Sequence, residues 1–158
     1  MSENTRPSGN YFEEFEVGSV VQTPGRTITE SDVVLFAGLS GDYNQLHTNA
    51  EYAKEGLFDE RIAHGLLGLS ITSGLASRLG FIEGTTLAFT GLEWKFRAPI
   101  KFGDTIWARF EVKQKKEMKR LGGGFVTFRI TVLNQREETV QKGEWTVLIK
   151  SAPEENEA

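Results

Sequence analysis

The stretch Leu39-Ser40-Gly41-Asp42-Tyr43-Asn44-Gln45-Leu46-His47 places a carboxylate and an imidazole five residues apart, in a turn-rich segment just after a strong helix signal. No other part of the chain offers so compact a pair of groups able to exchange protons with a substrate. Further on, Ala63-His64-Gly65 opens the apolar segment Leu66 to Leu79, whose glycine can present a bare backbone N–H at a helix start. An acid/base pair with an anion-stabilising helix end is the minimal equipment for chemistry next to a carbonyl. Each residue also has a plainer reading. Asp42 after Gly41 fits a turn aspartate, His47 a hydrogen-bonded structural histidine, and Asn44 a support that orients the loop through side-chain to backbone bonds. His64 either lines a site or is structural. Ser73, eight residues beyond Gly65, either looks toward the Asp42 loop or bonds back to its own helix.

The elements that must position these groups are legible from caps and periodicity. Thr29-Glu30-Ser31-Asp32 followed by Val33 to Ala37 is a capping-box helix start, and Gly38 or Gly41 should stop that helix. Asn49 can cap a second short helix through Tyr52 and Lys54 that Gly56 ends, which leaves Asp42 to His47 on a loop between two helices. The run from Gly65 to Leu79 has little polar face, so it should form a helix buried nearly all round and ended by Gly80. Period-two patterns follow. Ile106, Ala108, Phe110 and Val112 form one strand face and Val126, Phe128, Ile130 and Val132 another, joined across Gly122-Gly123-Gly124 as a long hairpin. Gln135 to Glu138 turns the chain into a last strand with Gly143, Trp145, Val147 and Ile149 on one face. Thr85 to Phe96 is a further strand, bulged or bent near Gly91. Helices first and then a four-strand meander predict an α+β fold, a curved antiparallel sheet wrapped around the long helix.

Composition narrows the class. A chain of 158 residues with a formal net charge of −4 is one ordinary domain, and its pI of about 5.3 argues against a nucleic-acid partner, which calls for a basic surplus. With no cysteine and two histidines, neither a disulfide framework nor a His/Cys metal cage is expected, and no metal is assigned. Residues 1–10 and 151–158 read as polar tails flanking a folded unit at 11–150. No signal-peptide h-region is present and no apolar run approaches the ~20 residues of a membrane span, so a cytoplasmic protein without a membrane partner is expected.

Ser40-Gly41-Asp42-Tyr43-Asn44-Gln45-Leu46-His47 followed by His64-Gly65-Leu66-Leu67 resembles the R-specific enoyl-CoA hydratase motif of the MaoC-like dehydratases. Tyr11 to Gly18 resembles that family's opening, and Phe96-Arg97-Ala98-Pro99-Ile100-Lys101-Phe102-Gly103-Asp104-Thr105 its strand after the central helix. The resemblance implies a single hot-dog fold, a homodimer or higher homo-oligomer, and an acyl-CoA thioester as substrate with no separate cofactor. It implies catalytic roles for Asp42 and His47, which share a water and shuttle protons, and for the Gly65 N–H, which donates to the thioester oxygen. Asn44, His64 and Ser73 are the associated substrate-binding candidates. One departure stands out: Gln45 occupies a position where the family commonly has proline, which leaves the loop freer and adds an N–H needing a partner. The alternatives are a hot-dog acyl-CoA thioesterase, disfavoured because Leu66 to Leu79 holds no acidic residue, and a non-catalytic acyl-CoA binding subunit. Phe36, Phe58, Phe81, Phe89 and Leu92 are candidates to shape an acyl pocket. Lys113, Lys115, Lys116, Lys119 and Arg120, or else Arg97 and Lys101, are candidates to meet coenzyme A phosphates, while Trp94, Trp107 and Trp145 read as core or interface.

Overall fold

A computed structural model describes residues 8–153. Two short strands, β1 (Val20–Gln22) and β2 (Arg26–Thr27), precede helix α1 (Glu30–Ser40). One-turn helices α2 (Gln45–Thr48) and α3 (Ala50–Lys54) lead to the long helix α4 (Gly65–Leu79). Strands β3 (Thr86–Phe96), β4 (Thr105–Met118), β5 (Gly123–Asn134) and β6 (Thr139–Lys150) follow. The caps act as their sequence suggests. The Thr29 hydroxyl accepts the Asp32 N–H while the Asp32 carboxylate accepts the Thr29 N–H, and Gly41 at φ 76°, not Gly38, ends α1. Asn49 accepts the Tyr52 N–H to start α3.

The strands form one six-stranded antiparallel sheet in the order β1-β4-β5-β6-β3, with β2 also on β4. The β4/β5 hairpin pairs from Ile106 opposite Asn134 to Met118 opposite Gly123, with one shift of register between Val112 and Gln114. Irregularities between Phe89 and Gly91 confirm the bend near Gly91. The expected four-strand meander forms over β4, β5 and β6, but β3 pairs with β6, the last strand, and not with β4. Pairing of sequence neighbours is a tendency only, and here the segment after Phe96 crosses the sheet instead. There the Ala63 N–H donates to the Ile100 carbonyl and Ile62 bridges Lys101, so the crossover lies against the residues leading into α4.

Inward-facing Ile106, Phe110, Val126, Ile130 and Val147 share one buried core with Leu67 and Ala76 of α4. Burial of α4 is one-sided, contrary to expectation: Leu66 is 58% exposed, and Ser70, Ser73, Gly74 and Ser77 lie on its open side. The sheet covers one side of the helix, and these small residues recur three or four apart along the other. Order begins before Tyr11, since Gly9 and Asn10 donate main-chain bonds to Glu83 and Phe81, and it continues to Ser151 and Ala152, which donate to Gly122 and Glu13. The rest of the expected tails, 1–7 and 154–158, lies outside the described residues. Among the described residues no helix is long and apolar enough to cross a membrane.

Candidate active site

The turn after α1 is built from short polar side chains. The Asp42 N–H donates to the Ser40 hydroxyl at 3.2 Å, the Asp42 carboxylate accepts the Asn44 N–H at 3.1 Å, and the Asn44 side chain accepts the Leu46 N–H at 3.0 Å. This last bond caps α2, so His47 stands on a helical turn and not on the expected loop. Asn44 is therefore a structural cap. It also resolves the missing proline. Asn44 has ψ 134°, the extended conformation that a following proline would impose, and Gln45 occupies the first helical position, where an N–H has no intrahelical acceptor in any case.

His47 Nδ1 lies 2.7 Å from the Ile62 carbonyl. A carbonyl only accepts, so the neutral ring carries its proton on Nδ1 and offers the Nε2 lone pair. Of the two readings open for His64, its placement agrees with the structural one. The residue is 2% exposed and does not line the cavity described below. Its Nε2 lies 2.9 Å from the Asp42 main-chain oxygen, and its ring stacks on His47 with centroids 3.8 Å apart. One carboxylate oxygen of Asp42 and one ring nitrogen of each histidine fall within 4.8 Å of one another. Two hydrogen bonds of about 2.8 Å meeting at one water span roughly that gap. The same set offers three ligand atoms to an ion, and a main-chain carbonyl on the second nitrogen of each ring is compatible with ligation, but the two rings are stacked. Stacked rings direct their in-plane lone pairs along neighbouring planes, a poor geometry for joint coordination.

A cavity of about 400 Å³ opens beside His47. Leu46, Phe58, Ile62, Leu66, Phe96 and Ile100 make it largely apolar, with Arg97 and Gln141 as further polar residues, and Gly65 borders it. Gly65 begins α4, so its N–H has no carbonyl four residues back and faces the positive end of the helix dipole. A Cβ there would come 2.7 Å from the Phe96 ring, so any side chain must push that half-exposed ring aside, while no positive φ calls for glycine. Asp42 stands beside His47 with its side chain 52% exposed. Ser73 is not brought to the site: its hydroxyl donates to the Ser70 carbonyl at 2.7 Å on the open side of α4. Of the aromatic candidates only Phe58 lines the cavity. Phe36 packs on His64, Phe81 on Phe15, Phe110 and Phe128, and Phe89 and Leu92 lie exposed on β3. Three of the seven basic candidates are engaged elsewhere, Lys113 with Glu144, Lys115 with the Glu13 and Phe15 carbonyls, and Lys101 with Glu60. Arg97 is at the cavity.

Sequence reasoning missed Gln141. Its amide donates to the Gly65 carbonyl at 2.9 Å and accepts from the Trp94 indole at 3.1 Å, tying β6 to the start of α4. A signal was present: the face Gly143, Trp145, Val147, Ile149 extended by one step puts a polar residue at an inward position.

An antiparallel sheet wrapped round one long helix, with an Asp/His pair next to that helix's N-terminus, defines a hot-dog protein equipped for acid/base chemistry. The chain belongs to the MaoC-like dehydratase family, whose MaoC like domain matches residues 13–133. It is 38% identical over 141 residues to the (R)-specific enoyl-CoA hydratase of Rhodospirillum rubrum, spanning 89% of this chain and 92% of that protein. The solved monoamine oxidase regulatory protein from Archaeoglobus fulgius superposes with a TM-score of 0.86 at 35% identity, over 92% of this chain and 97% of that one. Unliganded R-hydratase PhaJ1 from Pseudomonas aeruginosa superposes with 0.76 at 32%, over 90% and 86%. A double hot-dog protein of Mycobacterium tuberculosis, 18% identical, matches 98% of this chain and 48% of its own length at 0.83, a likeness of fold alone.

Proposed function

We propose that this protein is an (R)-specific enoyl-CoA hydratase and 3-hydroxyacyl-CoA dehydratase, a hydro-lyase that adds water across a trans-2-enoyl thioester and removes it in reverse. The observation that carries the reading is the Asp42/His47 pair, spaced for one water, beside an apolar cavity that the start of α4 borders. In hydration, the water oxygen bonds to the β-carbon as the Cα=Cβ double bond opens, and Asp42 and His47 take one proton and deliver one to the α-carbon. Between these events the thioester oxygen carries enolate charge, which the Gly65 N–H and the helix dipole stabilise. One water supplies both the hydroxyl and the hydrogen, so the balance needs no redox partner and no cofactor beyond the coenzyme A of the substrate. The related (R)-specific enoyl-CoA hydratase supports the substrate class and stereochemistry.

The reading includes a homodimer. Strand β3 lies at the sheet edge, and among the described residues its outer side has no partner strand. Leu87, Phe89, Leu92 and Phe96 on it are each about half exposed, and a long apolar edge of this kind calls for cover.

The test is the ultraviolet absorbance of crotonyl-CoA with a thiol reagent present. Loss of conjugation with no thiol released supports the hydratase, release of free coenzyme A in step with that loss supports a thioesterase, and no change across a panel of enoyl-CoAs supports a binding subunit.

A further inference from the structure

The proposed chemistry gives His64 no part, yet this residue touches both members of the acid/base pair and precedes Gly65. It is the N-cap residue of α4, and its carbonyl accepts the Leu67 and Gly68 N–H groups. Its Nε2 faces the Asp42 carbonyl at 2.9 Å, so the neutral ring carries its proton there. Nδ1 is buried without a partner, consistent with a bare lone pair, which is cheaper to leave unpaired than an N–H. One face of the ring stacks on His47, and the ring also meets Phe36 with centroids 5.0 Å apart.

This contact matters because the other hydrogen bonds of Asp42 among the described residues stay inside its own turn, to Ser40 and Asn44. The bond to His64 is the one that ties Asp42 to a distant element, 22 residues away in sequence. His47 is held at its Nδ1 edge by Ile62 and on its face by His64. We propose that His64 is the positioning residue of the acid/base pair: its Nε2–H holds the Asp42 main chain and its ring face holds the His47 imidazole, without contact to substrate. The proposal rests on the hydratase reading for its catalytic meaning, while the geometry can be tested without it.

With only two histidines in the chain, ¹⁵N spectra of the imidazoles can be assigned simply. The expected wild-type spectrum shows the neutral rings protonated on Nδ1 in His47 and on Nε2 in His64. His64→Phe keeps a ring against His47 and removes the donor to Asp42; His64→Gln keeps a donor and removes the ring. In each, kcat for crotonyl-CoA should fall about 10- to 10²-fold, the scale of a misplacement near 1 Å, with KM little changed. Amide exchange at Tyr43 and Asn44 should quicken in His64→Phe while the His47 tautomer stays as in the wild type. A His64 proton found on Nδ1 overturns the proposal whatever the variants do. So does a folded His64→Phe protein with wild-type kcat and wild-type amide exchange in the turn. If the wild type hydrates no enoyl-CoA, the hydratase reading falls, and the spectra and exchange rates still decide whether His64 holds the turn.

Discussion

Charge and shape can be separated at Asp42 and His47. The Asp42 carboxylate accepts the Asn44 N–H, and an asparagine keeps an oxygen for that bond while losing the ability to take a proton. Asp42→Asn and His47→Gln should each lower turnover about 10²–10⁴-fold, the usual contribution of a positioned proton-transfer group, with melting close to wild type. Retention of most activity by either variant would remove that residue from the mechanism. At Gly65 the physical case is different, because any side chain meets the Phe96 ring at 2.7 Å before it meets substrate. Gly65→Val should therefore both displace Phe96 and block the N–H, and turnover should fall by the ~10²–10³-fold typical of a lost oxyanion donor in a protein that still folds. A stable Gly65→Val enzyme with near-normal kcat would sink the oxyanion role and leave Asp42 and His47 standing.

Among the elements, the crossover from β3 to β4 is anchored by Asp104, 3% exposed. Its carboxylate accepts from the Lys101 N–H, the Gln135 amide and the Arg136 guanidinium. Burial pushes this carboxyl up, but those three donors outweigh it and hold it below its ordinary value of 3.8. A carboxyl lowered in the folded state stabilises fully above its unfolded value and loses that contribution as pH falls through the folded one. Melting temperature should accordingly drop below about pH 4, and Asp104→Asn should flatten that acid limb while costing about 1–3 kcal/mol at neutral pH. An unchanged acid limb in the variant would show that other carboxyls set it. Asp32 is held low in the same sense, with burial opposing and the Thr29 N–H and Arg26 prevailing. Thr29→Ala should cost about 1 kcal/mol in chemical denaturation. Because α1 leads directly into Gly41 and Asp42, a loosened α1 start should leave the turn intact at its other end, with activity at 25 °C nearly retained.

At the scale of the molecule the open side of α4 and the edge β3 leave the same kind of surface, apolar or small and without cover among the described residues. The expected sedimentation mass is twice 17.6 kDa at micromolar concentration. Leu92→Lys, a charge on the exposed edge, should shift the protein toward monomer. It should lower activity as well, since Phe96 on the same strand walls the cavity. A monomeric wild type with full activity would rule out the dimer as part of the site.

Local order in this chain was legible because it is made by near neighbours. Thr29 and Asp32, Asn49 and Tyr52, and the Asp42 to His47 spacing each involve groups no more than five residues apart, where one cap or one helical turn sets the geometry. The same locality makes the long helix, the β4/β5 hairpin and the family motif readable. What decides the site lies across long gaps: 22 residues from Asp42 to His64 and 76 from Gly65 to Gln141. Strand order belongs with these. Period-two alternation reports which face a strand buries and says nothing of which strand lies beside it, so pairing of β3 with β6 was invisible. That pairing sends residues 97–104 across the sheet, bringing Arg97 and Ile100 to the cavity. Residue types alone determined the acid, the imidazole and the glycine; packing of distant segments decided which histidine would face the cavity and which would lie buried beneath it.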